Sequence, residues 1–283
     1  MALNLTMDDI RNLREIGNGT EGRVFKYDNK YLLKIYRKQL KNIIKADSKY
    51  DKYIKIYDKN SLVLDKSYEY FNYFITNGDE DVRIRNKDGL KMAIERQKLV
   101  KRSVLPIDIV YINGLFAGCL LEKANGIQIH KLIGMPVNLK RKIVKNLLLD
   151  IEELLNNYIY HVDIANSPFS IGLFIDEKGN VNSKRGHSHV LINPINLNTS
   201  LIDLDGKSTI YMERYNYNLE QKCLMNLTRL IIEFLFKLDT DEIKETDELY
   251  YELLKLNLSK EVAYNFSNYK FEKIDEIKKT LKL

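Results

Sequence analysis

Three stretches carry residue types that could do chemistry. In "LREIGNGTEGRVFKYDNKYLLKIY" the pattern Gly17-x-Gly19-x-x-Gly22-x-Val24 packs three glycines into six residues, and Lys34 follows inside an apolar run. Glycines leave no Cβ in the way, so backbone N–H groups can close on an anion such as a phosphate. The same spacing also fits the turns of an ordinary hairpin, and the loop alone does not decide. Further along, "YIYHVDI" holds His161-x-Asp163 and "SLIDLDGKS" holds Asp203-x-Asp205-Gly206. "GKST" is not a Walker A lysine, because Leu201 stands where that motif's first glycine belongs.

These residues need elements to position them. Alternation in "GRVFKY" and "YLLKIY" around Asp28-Asn29 predicts strands over 13–36, with the glycines at the tip of a strand pair. Residues 37 to 88 are rich in lysine and tyrosine, have weak periodicity and look inserted. From Leu90 the pattern turns helical until Pro106, and "IDIVYINGLFAGCLLEK" then reads as a hairpin turning at Asn113-Gly114. The polar stretch Lys123 to Gly126 marks a boundary, after which the chain reads as almost wholly helical. Residues 138 to 157 form an amphipathic helix, strand-like "IGLFID" and "TSLIDLDG" flank a polar excursion, and helix resumes at about Leu219. No internal repeat is visible.

Composition sets the outer limits. With 283 residues, of which 45% are hydrophobic, the chain can bury a core of one large or two small domains. Net charge is +6, but 30% of residues are charged with both signs interspersed, which argues against a nucleic-acid partner. Cys119 and Cys223 sit far apart in apolar surroundings, as buried free thiols do, and predict a reducing, cytoplasmic setting. No signal pattern opens the sequence and no apolar run approaches the ~18 residues that span a bilayer. A soluble protein without a membrane partner is the expectation.

Taken in order, Gly17-x-Gly19-x-x-Gly22-x-Val24, Lys34, Glu95, Glu122 to Ala124, His161-x-Asp163 and Asp203-x-Asp205-Gly206 resemble the protein-kinase-like superfamily, in a short, divergent, bacterial-looking form. The resemblance covers roughly residues 13 to 236. It implies an α+β, two-lobed fold, with a strand-rich lobe over 1–123 carrying the insertion at about 37–88, and a small helical lobe over 124–283. It also implies transfer of the γ-phosphoryl group of ATP, with Mg²⁺, to a hydroxyl of a protein or small molecule.

The residue roles follow from the resemblance. Gly17, Gly19, Gly22 and Val24 would cover the phosphates, and Lys34 would contact the α- and β-phosphates with Glu95 as its ion-pair partner; Glu69 competes for that place. Leu121 would back the adenine pocket, with the Glu122 carbonyl and the Ala124 N–H at the adenine edge. Asp163 would be the base or orienter of the attacking hydroxyl, and His161 structural. Asp203 would bind Mg²⁺ together with Asp205, Asn166 or Ser170, because Pro168 occupies the position of the family's metal-binding asparagine.

Two alternatives remain. Loss of that asparagine also fits a nucleotide-binding pseudokinase or scaffold, and Asp203-x-Asp205-Gly206 after an apolar run also resembles haloacid-dehalogenase-type phosphatases, with Asp203 as nucleophile. "HVLINPINL", from His189, looks like a second catalytic loop, but too little chain separates it from Asp203 for an intervening hairpin. It is assigned to an insertion, with His187 and His189 as loop residues or, alternatively, a His-x-His metal pair. Val162 replaces the arginine of regulated kinases, and only some thirteen residues separate Gly206 from Leu219. Switching by phosphorylation of Ser208, Thr209 or Tyr211 is therefore not expected.

Overall fold

Alternating side chains between Arg14 and Tyr36 fold as three antiparallel strands, because each strand has one apolar face that only its neighbours and the core can cover. The computed structural model describes residues 2–18, 22–36, 39, 87–162, 164, 171–175, 181–185, 189–205, 209–240, 243 and 245–283. The expected insertion at about 37–88 falls almost entirely outside them. The chain divides into two compact units, the first being Met1–Leu99, Val104–Lys123 and Asp205–Lys207, the second Val100–Ser103, Ala124–Leu204 and Ser208–Leu283.

The first unit is built on six strands: β1 (Leu3–Leu5), β2 (Arg14–Asn18), β3 (Gly22–Lys26), β4 (Tyr31–Tyr36), β5 (Pro106–Ile112) and β6 (Leu115–Glu122). Their order is β1-β5-β6-β4-β3-β2, antiparallel throughout except for the β1–β5 pair. Between β3 and β4 the Asp28 carboxylate accepts from Lys30 and Tyr31 N–H, both at 2.7 Å, which closes the turn. Asn113 and Gly114, with φ of 51° and 77°, turn β5 into β6 as expected of an Asn-Gly pair. Helix α1 (Met7–Arg11) starts at a reciprocal cap between Thr6 and Asp9 and sets Met7 and Ile10 on a core with Phe25, Leu33, Ile35, Val110, Ile112 and Ala117. Helix α2 (Lys87–Gln97) leads towards β5.

In the second unit, helix α3 (Val137–Asn156) buries Ile143, Val144, Leu147, Leu148, Ile151 and Leu154, a single stripe at three- and four-residue spacing. This unit is less purely helical than the sequence suggests. β7 (Ile127–Gln128), β11 (Val190–Ile192) and β12 (Thr199–Leu201) form one antiparallel sheet; β8 (Ile159–His161) pairs with β13 (Thr209–Tyr211), and β9 (Ile171–Ile175) with β10 (Val181–Arg185). Most of these strands are two or three residues long, too short to show a two-residue alternation. Helix α4 (Tyr217–Ile231) begins where the Asn216 side chain caps Leu219 N–H. It runs into a π-helical turn at Ile232–Phe236 that ends on left-handed Lys237. Helices α5 (Thr246–Lys255), α6 (Lys260–Ser267) and α7 (Ile274–Leu281) complete the unit.

Candidate functional site

The period of two in β4 sends Leu33 and Ile35 into the core and Lys34 to the opposite face of the sheet. Strand register shows what shares that face. Val24 on β3 and Cys119 on β6 stand directly opposite Lys34, Gly17 stands opposite Val24, Gly22 opposite Tyr36, and Leu121 opposite Leu32. Gly17, Gly22, Val24, Lys34 and Leu121, scattered over more than a hundred positions, thus line one surface. Gly22 is tight for a structural reason as well, because a Cβ there would come within 2.6 Å of the Ile35 carbonyl oxygen.

Lys34 is buried, and its Nζ meets Asp205 Oδ1 at 3.1 Å, the two side chains being 7% and 0% exposed. Asp205 Oδ2 is also buried and accepts no hydrogen bond among the described residues. The Tyr36 hydroxyl, which donates to Cys119 Sγ at 3.5 Å, and the Cys119 thiol both have pKa values pushed well up, first by burial and then by the charge of Asp205. A side chain paired this way in a poorly solvated site has a fixed direction, which is the condition for a strong local field.

The second unit holds a different cluster. Leu201 ends β12, and Asp203 follows in a left-handed backbone conformation with φ of 64°. Its carboxylate is about one quarter exposed and its Oδ2 lies 3.7 Å from His189 Nε2. The His189 ring stacks on that of His161, centroids 5.3 Å apart. His161, buried at the end of β8, has its Nδ1 3.2 Å from the hydroxyl of Thr209, which itself donates to the Asp203 carbonyl at 3.4 Å. Asn226 donates to the Val162 carbonyl at 2.7 Å and holds the chain just after that histidine. Among the described residues, no group of three or more His, Cys, Asp and Glu side chains is arranged to hold a metal ion.

His189 is a correction. "HVLINPINL" is no insertion loop: Val190–Ile192 and Thr199–Leu201 are the hairpin that leads directly into Asp203. Strands of three residues fit into the short stretch of chain between His189 and Asp203. Asn193 and Asn196 build the turn, accepting from Ile195 and Asn198 N–H at 2.9 Å, while the Asn193 and Asn198 backbones join at 2.9 Å. A hairpin signal, two asparagines flanked by apolar triplets, was present.

The structure separates some residues that the sequence placed together. Glu95 is exposed on α2, and among the described residues the carboxylate that meets Lys34 is that of Asp205 and not Glu95. Asp205 is thereby turned to the lysine, while Asp203, two residues earlier, faces His189. Glu122 is exposed and Ala124 half-buried at the end of β6. Gly19, Glu69, Asp163, Asn166, Ser170, His187, Gly206 and Ser208 lie outside the described residues. Thr209 and Tyr211 are buried in β13, with the Tyr211 hydroxyl donating to the Leu204 carbonyl at 2.7 Å. Cys119 and Cys223 are free and buried. Among the described residues, no helix is long and apolar enough to cross a membrane.

No protein-family model and no curated protein matches the chain. Among solved structures, that of the Cydia pomonella granulovirus kinase PK-1 is similar over 96% of this chain and 95% of its own, with 10% identity and a TM-score of 0.49.

Proposed function

We propose that the chain is a two-lobed, protein-kinase-like phosphotransferase that binds ATP with a divalent metal ion and passes the γ-phosphoryl group to a hydroxyl of a protein or small molecule. One observation carries this reading. Gly17, Gly22, Val24, Lys34 and Leu121 share a single face of the first unit's sheet, with a buried carboxylate, Asp205, fixing the lysine.

Phosphoryl transfer asks a protein mainly for positioning and for charge opposite the phosphate oxygens. The glycine hairpin supplies backbone donors that approach closely, and Val24 and Leu121 supply an apolar surface for a planar base. Lys34 supplies the cation. Asp205 pairs with Lys34 and aims it, the work the sequence assigned to Glu95. Asp203 is the carboxylate for the metal, being partly exposed and set on a strained backbone that fixes its direction. Bound there, the ion would neutralise phosphate charge. Asp163 remains the proposed orienter of the accepting hydroxyl.

The phosphatase alternative loses support. Its nucleophile would need Asp205 as general acid, and that carboxyl faces Lys34 in a buried pair. The strand that delivers Asp203 also runs antiparallel to β11, not inside a parallel doubly wound sheet.

The test is melting in millimolar ATP and Mg²⁺, followed by turnover of labelled ATP. Ligand at a hundredfold over its dissociation constant stabilises the fold by about 2.7 kcal/mol. The wild type should gain, Lys34→Ala should lose most of the gain, and Asp203→Asn should abolish turnover. A stabilised wild type without turnover on any hydroxyl acceptor selects the pseudokinase reading; an unshifted melting temperature removes both.

A further inference from the structure

We propose that His189 and Asp203 hold one divalent cation between them, and that the imidazole makes this site prefer a first-row transition ion to Mg²⁺. The distance between His189 Nε2 and Asp203 Oδ2, 3.7 Å, is longer than a hydrogen bond, which at about 3.6 Å is already lost. It is close to the spacing of two ligands on one ion. Bond lengths of about 2.0–2.2 Å to imidazole nitrogen and carboxylate oxygen put the two donor atoms roughly 3.0–3.4 Å apart, for octahedral and tetrahedral angles respectively. Side-chain rotation that brings the two atoms about 0.3–0.7 Å closer removes the difference.

Neither donor is on a loose arm. His189 donates its N–H to the Ile164 carbonyl at 3.3 Å and accepts from Ile202 N–H at 2.9 Å, so its backbone is tied on both sides just before β11. Its ring rests on the buried ring of His161, which limits rotation about the side chain. Asp203 is fixed by its left-handed backbone and by the Thr209 hydroxyl on its carbonyl. The two side chains are 20% and 28% exposed, open enough for an ion and its waters to reach them.

The choice of ion follows from donor chemistry. Mg²⁺ takes oxygen ligands and keeps its waters, whereas imidazole binds Mn²⁺ and the later first-row ions with affinity rising along the series. With two protein donors, the remaining positions fall to water and, if the phosphotransferase reading above holds, to phosphate oxygens. The imidazole thus fills the place for which the sequence offered Asn166 or Ser170.

Mn²⁺ added to the protein without nucleotide, observed by electron spin echo, reports coordinated imidazole nitrogen directly. Wild type should show that coupling, His189→Asn should lose it while still binding Mn²⁺ more weakly, and Asp203→Asn should weaken binding about tenfold or more. In competition, wild type should favour Mn²⁺ over Mg²⁺ by a larger ratio than His189→Asn does. A wild-type spectrum without nitrogen coupling, or a coupling that persists in His189→Asn, overturns the proposal, and neither depends on enzyme activity. ATP binding, measured by melting, without nitrogen coupling overturns this site and leaves the kinase reading standing. Coupling without ATP binding supports the site and counts against that reading.

Discussion

Replacing Asp205 with Asn removes the charge opposite Lys34 with little change of shape. The charged atoms are 3.1 Å apart on side chains 7% and 0% exposed, so solvent screens them little. At an effective dielectric of about 20, unit charges at that distance attract by about 5 kcal/mol. Desolvation of both ions cancels much of this in the intact pair, but a single substitution leaves the other charge buried and uncompensated, at a cost of about 3–5 kcal/mol. Lys34→Met should cost a similar amount for the same reason. The double variant should cost clearly less than the sum, with a coupling of about 2 kcal/mol or more. Urea titration followed by circular dichroism suits a chain that has no tryptophan. A coupling below about 0.5 kcal/mol would mean a solvated, surface-type pair and would refute the argument that Asp205 fixes the lysine.

Three further outcomes follow from particular contacts. Burial raises the carboxyl pKa of Asp150 to about 6, against donors Thr199 and Arg102, and that of Glu233 to about 7, against Thr240 and Arg229. Between about pH 4 and 7 the native protein then holds protons that the unfolded chain has released, so stability falls as pH rises through this window and levels off above it. Each group contributes up to about 3 kcal/mol, and Glu233→Gln should flatten its share of the slope in melts from pH 5 to 8. Gly22→Ala should destabilise the β3–β4 ladder by about 1–3 kcal/mol, since its Cβ meets backbone and not a movable side chain; an unchanged melting temperature would contradict that packing. Thr209 and Tyr211 should carry no phosphate by mass spectrometry of the native protein, because both are buried, and Tyr211→Phe should cost about 1 kcal/mol through its lost bond to Leu204.

What the sequence made legible was whatever has a local period. Strands β3 to β6, the Asn113-Gly114 turn and helix α3 follow from alternation, turn chemistry and an apolar stripe, and the shared face of Gly17, Val24, Lys34 and Leu121 is a consequence of strand period once the order of strands is known. Strand order itself is not local. Thr6-x-x-Asp9 announced the cap of α1, yet a helix of five residues has too little periodicity to draw notice. Asp205, the carboxylate that meets Lys34 among the described residues, lies 171 positions away, and no spacing rule picks it over Glu95. The place of His189 is hard to see in the sequence because a hairpin of three-residue strands leaves almost no alternation. Even the antiparallel return of β13 onto β8, which buries Thr209 beside His161, leaves only a three-residue trace in the sequence.

Hydrogen exchange with and without ATP and a divalent ion tests the central claim most directly, because it reports both binding and its place. The account predicts slower exchange in the peptides covering the Gly17–Gly22 hairpin and Lys34, and in the one covering Asp203 and Asp205, with the first of these lost in Lys34→Ala. Protection absent from the hairpin, or appearing only in helices α5 to α7, would contradict it.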